Sequence, residues 1–307
     1  MLTPTPYQSP WMTDDVSDVA ELARTFFAKD VVPHLERFAE QHEVDREVWT
    51  KAGDLGLLGI TIPEQYGGGG GTFAHEAAVI WEQGFSTDDS FGYVVHSTIV
   101  APYIMAYGSE EQKQKWLAPL ASGQLLGCFA LSEPDAGSDA AAQKTVARQD
   151  GDGWVINGVK NWITNGPNAN VCILQCMADP PGKHIGHKAI TTFILPMDLP
   201  GVRTGPADKK LGIRGSQSSQ IFLDDVRVGK DLLLGGVGTG FKVAMSTLDG
   251  GRIGIASQAL GIARASFEDA GRYALDRKTF GQPIANHQAI QWKLADMATE
   301  LDAARLL

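Results

Sequence analysis

Cysteine, long apolar runs and net positive charge are all scarce in this chain, and each shortage closes off a class of function. Three cysteines in 307 residues, Cys128, Cys172 and Cys176, are too few for a disulfide framework and fit a reducing compartment. Cys172 and Cys176 stand four apart in an apolar run, so on a strand they share a face. A metal site there needs two more soft ligands at close spacing, and the sequence offers none, so no metal is expected. No apolar stretch approaches the ~20 residues that span a bilayer. Residues 1–11, rich in Pro and Thr, lack the basic-then-apolar pattern of a signal peptide, and the chain reads as cytoplasmic. Lys+Arg 26 against Asp+Glu 36 leave a net charge of -10, which argues against a nucleic-acid partner. An anionic ligand stays open, because local cations and backbone donors still make positive sites.

What is present has a clear order. From Thr13 to about residue 122 the pattern is helical: Val16, Val19, Ala20, Ala23, Phe26 and Phe27 recur at helical spacing behind Thr13, a candidate N-cap. Pro33 ends or bends that helix. Further helices are expected near Asp45, near Thr72 and over residues 110–120, with the five glycines at 67–71 as a flexible connection. Between residues 127 and 228, short apolar runs alternate with turn signals, at 127–131, 145–148, 154–157, 171–177, 190–195 and 221–228. Asp150-Gly151-Asp152-Gly153 reads as a hairpin turn. No long helical pattern interrupts the runs, so the unit is antiparallel β and not a βαβ sheet. From Gly240 the chain is helical again, and Ile290, Leu294, Met297 and Leu301 form the seam of a bundle helix. Leu307 falls inside that pattern with no stop after it, so the chain reads as cut short at its C-terminus. The fold class is α+β: an N-terminal helical domain (1–125), a central antiparallel β domain (126–235) and an incomplete C-terminal helical bundle (236–307).

Most motif-like features have bland readings. Gly236-Val237-Gly238-Thr239-Gly240 is G-x-G-x-G with no second parallel strand after it, so a turn into a helix is expected in place of a phosphate loop. Ser138 lacks the G-x-S-x-G context of a nucleophile. His34, His42, His75, His96, His184, His187 and His287 have no base-orienting partner nearby in sequence. Residues 129–139, Phe-Ala-Leu-Ser-Glu-Pro-Asp-Ala-Gly-Ser-Asp, are different. A strand ending in Ser132 and turning through Glu133-Pro134-Asp135-Ala136-Gly137 exposes successive backbone N–H groups, a nest suited to anionic oxygens. Alone, Ser132-Glu133-Pro134 reads equally as a surface turn. The second block, Asn161-Trp162-Ile163-Thr164-Asn165-Gly166, adds an aromatic and a hydroxyl at the end of a neighbouring strand.

These two blocks closely resemble the flavin-cradling segments of the acyl-CoA dehydrogenase family, [ST]-E-P-x-x-G-S-D followed by W-I-[ST]-N. The likeness extends to Ile62-Pro63-Glu64-Gln65-Tyr66-Gly67-Gly68, Lys210-Leu211-Gly212-Ile213-Arg214 and Arg277-Lys278-Thr279-Phe280-Gly281, and residues 248–263 are most similar to the short- and branched-chain members. The resemblance implies FAD as cofactor, an acyl-CoA thioester as substrate and an electron-transfer flavoprotein as acceptor. It implies that Phe129, Leu131, Ser132, Gly137, Ser138, Trp162 and Thr164 cradle the flavin, with the backbone of Leu131 and Ser132 at the pyrimidine edge, Thr164 near N5 and Trp162 on the face away from substrate. Arg277, Thr279, Phe280, His287 and Gln288 would hold the dinucleotide of a flavin in a neighbouring subunit, so a homotetramer or homodimer is implied. Ser138, Asp249 and Arg252 match positions that meet the CoA. The family's usual catalytic glutamate lies in a Y-E-G-T segment, which is absent here. The minority position, just before the arginine of a leucine-aspartate-x-glutamate-arginine segment, is Gly251. No catalytic residue is therefore expected in this chain, and alone it should be inactive. Rival readings are an acyl-CoA oxidase-like flavoenzyme and a non-catalytic binding or assembly protein on the same scaffold.

Overall fold

The computed structural model describes residues 9–178 and 186–307. Its helices are α1 Asp14–Phe26, α2 Leu35–Gln41, α3 Arg46–Asp54, α4 Phe73–Phe85, α5 Ala101–Tyr107, α6 Glu110–Ala121, α7 Gly240–Asp276 and α8 Gln288–Leu306. Strands β1 Gly127–Ala130, β2 Val146–Asp150, β3 Gly153–Thr164, β4 Val171–Met177, β5 Ile190–Pro196, β6 Val202–Thr204, β7 Ser218–Val228 and β8 Leu233–Leu234 make one sheet, ordered β6-β7-β3-β2-β4-β5-β8 with β1 beside β4. A small hairpin, β9 Lys278–Thr279 and β10 Gln282–Pro283, joins α7 to α8. The architecture is the α+β order read from the sequence: helices, a central sheet, then helices.

The described residues gather into two compact units. One comprises the described residues up to Pro33 with Phe73–Asp88 and Ile253–Leu307; the other comprises His34–Thr72 and the described part of Asp89–Arg252. In the second unit, Trp154, Ile173, Leu174, Phe193 and Leu195 from the sheet bury against Tyr103, Leu117 and Leu120 from α5 and α6. α6 starts where the sequence places it because Ser109 and Gln112 form a reciprocal capping box, which satisfies two otherwise orphaned N–H groups. Asp150 pairs with Gly153 across the expected hairpin turn, and Gly151 sits at φ 63°, a left-handed conformation that glycine adopts without penalty.

Several local expectations are refined. β1 is parallel to β4, pairing Gly127 with Val171 through Ala130 with Leu174, where an antiparallel partner was expected. The cause lies at their starts: the Leu126 carbonyl accepts from both Asn170 N (2.8 Å) and Val171 N (3.1 Å), so the two strands leave one anchor side by side. The glycines at 67–71 are pinned, not loose. The N–H groups of Gly68, Gly69, Gly70 and Gly71 donate to carbonyls of Pro63, Gly59, Ile62 and Ile60, and a Cβ on Gly68 would lie 2.2 Å from the Ile62 oxygen. β3 runs on to Thr164, well past the 154–157 run, because it bulges where Gly158 and Lys160 break the apolar alternation.

In the first unit, α1 packs on α4 through Val16, Ala20 and Ala78, and Arg24 makes a bidentate pair with the buried Glu82. Near Pro33 the chain passes from α1 through a π-turn (Phe27–Val31) and a 3-10 turn (Val32–His34), the bend that proline imposes. No residue of α8 is fully buried; Ile290, Leu294 and Leu301 of the expected seam are half-covered and Met297 is exposed. Among the described residues, no helix is long and apolar enough to cross a membrane.

Candidate functional site

Where β1 ends, the chain meets the end of β3, and between them opens a cavity of about 260 Å³ lined by Val95, Phe129, Leu131, Ser132, Trp162, Ile163, Thr164 and Leu248. Five of the predicted site residues, Phe129, Leu131, Ser132, Trp162 and Thr164, thus converge on one wall. Val95 comes from a π-helical stretch, Val94–Val100, a distortion frequent at functional sites. Tyr103 backs the Phe129 ring at 5.3 Å, fixing its tilt, and is itself tied by its hydroxyl to the Ala244 carbonyl.

Trp162 is the most unusual residue of the wall. The pairing of β3 with β7 slips between Lys160 and Ile163, and within that bulge Trp162 adopts φ 57°. A left-handed backbone at a bulky residue costs about 1–3 kcal/mol. The slip reverses the strand's facing, so Lys160 and Ile163 are both buried while the indole between them stays 64% exposed. A large aromatic left in water at the expense of backbone strain is the mark of a surface made for a ligand. A flat heteroaromatic ring with a polar edge fits this wall: an apolar face at Trp162 and Phe129, hydroxyls at Ser132 and Thr164, and carbonyls already turned away into the protein.

Those carbonyls are held from below. Asn161 N donates to the Ser132 oxygen (2.9 Å), and the wholly buried Lys160 Nζ donates to the Leu131 oxygen (3.0 Å), to Glu133 Oε1 (2.8 Å) and to Gln143 Oε1 (3.1 Å). Glu133 also accepts from the backbone N–H of Lys144 (2.5 Å) and Thr145 (3.0 Å). Burial pushes the Glu133 carboxyl up, but the Lys160 charge and the Lys144 N–H outweigh it and hold it below its ordinary value. Burial likewise pulls the Lys160 ammonium down, against the upward effect of Glu133.

The other predicted residues lie elsewhere. Gly137 and Ser138 sit exposed on the loop after the Glu133–Ala136 turn, where a Cβ on Gly137 would meet nothing within 4 Å. Asp249 and Arg252 are exposed on α7, 3.4 Å apart. Arg277, Thr279, Phe280, His287 and Gln288 cluster in the first unit around the β9–β10 hairpin. There Thr279 Oγ1 meets His287 Nε2 at 2.8 Å, and the Phe280 ring stands 96% exposed at φ 53°. His184 lies outside the described residues. The sequence reading did not single out Val95 or Leu248, which are remote in the chain, nor the Lys160–Glu133 pair. The only signal for that pair was a lysine in the inward register of a strand that otherwise buries Trp154, Ile156 and Ile163.

Three family models match in succession: acyl-CoA dehydrogenase, N-terminal domain, over residues 13–124; the middle domain over 128–226; and the C-terminal domain over 238–307. The chain is 42% identical over 305 residues to the short-chain specific acyl-CoA dehydrogenase, mitochondrial, of Bos taurus, covering 99% of this chain and 73% of that protein. It superposes on butyryl-CoA dehydrogenase from Megasphaera elsdenii with a TM-score of 0.91 at 37% identity, over 98% of this chain and 78% of the other. Glutaryl-CoA dehydrogenase from Mycobacterium smegmatis in complex with FADH2 gives a TM-score of 0.88 at 35% identity, over 96% and 74% of the two chains.

Proposed function

Because this chain belongs to the acyl-CoA dehydrogenase family, we propose that the cavity between β1 and β3 holds the isoalloxazine of FAD and that a short acyl-CoA thioester binds across it. The protein is an oxidoreductase, and its cofactor is FAD. When bound, FAD supplies the acceptor at N5 for the β hydrogen of the substrate, taken as hydride. The carrying observation is the exposed, left-handed Trp162 beside Leu131, Ser132 and Thr164. There the indole would back the ring on the face away from substrate, the Thr164 hydroxyl would serve N5, the backbone at Leu131 and Ser132 would hold the pyrimidine edge, and Phe129 would close the wall.

Gly137 and Ser138 would serve the phosphates, Ser138 also the CoA, and Asp249 and Arg252 would hold its adenine and pantetheine. Arg277, Thr279, Phe280, His287 and Gln288 serve the FAD of a neighbouring subunit, which makes the working form a homotetramer or homodimer. The exposed Phe280 supports that reading. Electrons leave to an electron-transfer flavoprotein. The division at residues 125/126 and 235/236 corresponds to the helical, β and helical parts of this scheme.

Removal of the α proton needs a carboxylate of raised pKa in a dry site, together with donors for the enolate-like oxygen. Val95, Phe129, Leu131, Ser132, Trp162, Ile163, Thr164 and Leu248 include no carboxylate, and Gly251 has no side chain to offer one. A polypeptide of these 307 residues therefore binds substrate but turns it over little or not at all. Calorimetry and a dye-reduction assay on the FAD-loaded chain with butyryl-CoA test this. The expected result is binding, weakened in D249A and R252A, with no dye reduced. Absence of binding would overturn the substrate assignment, and steady turnover would overturn the missing base.

A further inference from the structure

The buried ion pair beneath the cavity has no part in the chemistry just described, and burying two charges is expensive. Several kcal/mol are lost per ion before the pairing returns any of it, and two apolar side chains of like volume commonly hold strands together as well. Its position suggests what the charge is for. Lys160 and Glu133 join three segments: the end of β1, the start of β2 and β3. The pair is also oriented. The carboxylate end accepts from the N–H groups of Lys144 and Thr145, neither of which lines the cavity, whereas the ammonium end donates to the carbonyl of Leu131, a residue of the cavity wall. The next residue, Asn161, secures the Ser132 carbonyl, and the one after is Trp162 itself. The bulge that turns the indole outward thus begins at the anchored lysine.

We propose that Lys160 is a positioning residue for the flavin: its ammonium fixes the Leu131–Ser132 edge and the Trp162 face as one rigid unit, and places the positive end of the Lys160–Glu133 pair behind the pyrimidine ring. This rests on the flavin reading of the cavity. The pyrimidine end of an isoalloxazine gains negative charge on reduction, and charge placed near it tunes the cofactor's potential. A positive end at Leu131 raises that potential, and loss of the pair lowers it.

Removing Lys160 alone strands a buried carboxylate, so the informative variant removes both charges. The 307-residue E133Q/K160M variant is compared with the wild-type chain by thermal unfolding, by the FAD dissociation constant from visible absorbance, and by the midpoint potential of the bound flavin. The expected outcome is a melting temperature near that of the wild type, a dissociation constant raised about tenfold, equivalent to about 1.4 kcal/mol, and a lower potential. Should that variant not fold, E133Q/K160Q, whose amides keep hydrogen-bonding capacity without charge, is read for the same lowered potential. A folded double variant with wild-type affinity and potential reduces the pair to a strand fastener and overturns the proposal. Failure of the wild-type chain to bind FAD at all overturns the flavin reading, and this inference with it.

Discussion

Side chains that look alike in the sequence have quite different tasks. The sequence shows no base-orienting partner near any of the seven histidines, yet among the described residues His96 is buried and bonded at both nitrogens: the Gly127 N–H donates to Nδ1 (3.1 Å), and Nε2 lies 3.0 Å from the Leu120 carbonyl. The first contact requires a bare Nδ1, so the ring is neutral with its proton on Nε2. Burial, with a smaller repulsion from Arg46, pushes its pKa down to about 4. Because the folded pKa lies below the unfolded value, the stabilising contribution is complete above about pH 6.5 and is lost as pH falls toward 4. Urea unfolding should therefore show wild-type stability dropping relative to H96Q by up to about 3 kcal/mol across that window. Equal pH slopes for the two proteins would refute the assignment. None of this was legible in the sequence, where His96 is simply a histidine in an apolar stretch.

Elements carry information that single residues do not, and α7 is the clearest case. Its glycines look interchangeable in sequence. A Cβ on Gly261 would lie 2.3 Å from the Trp81 carbonyl, and one on Gly84 of α4 2.3 Å from the Gln258 carbonyl, so two helix backbones touch through a reciprocal pair of glycines. A Cβ on Gly251 would meet nothing within 4 Å. Gly261→Ala should accordingly lower stability by about 1–3 kcal/mol through overpacking, and Gly251→Ala should leave it unchanged or raise it by up to about 1 kcal/mol through helix propensity. Thermal melts of the two variants decide, and equal losses would contradict the packing. Gly251 also lies one helical turn beyond Leu248, on the face that lines the cavity. Gly251→Glu should therefore place a carboxylate where the scheme lacks one and confer slow dye reduction with butyryl-CoA on the FAD-loaded chain. A folded, substrate-binding G251E as inert as the parent would count against the site's orientation. The helix α8 and the strands of the sheet were readable from periodicity. The parallel β1 was not, because the shared anchor at Leu126 depends on Asn170, more than forty residues away.

At the scale of the molecule, the two signature blocks disclosed the family and one wall of the cavity, while the rest of the cavity came only from the fold. Val95 and Leu248 reach it from a π-helical stretch and from a helix beyond the sheet, and no local pattern marks such long-range neighbours. Lys160 and Glu133 were hidden for another reason: a charged residue is read as solvent-facing until its partner is seen. The domains contributing to this site are those of a family whose compared relative is longer, this chain spanning 73% of it. The account stands on Trp162 and its neighbours forming the seat of an isoalloxazine. The most direct test is a visible-absorbance titration of the purified chain with FAD, repeated with Trp162→Ala and Thr164→Val. The account predicts saturation at one FAD per chain with a perturbed flavin band, and affinity reduced about tenfold by loss of the indole. Binding left unchanged by both substitutions would contradict it.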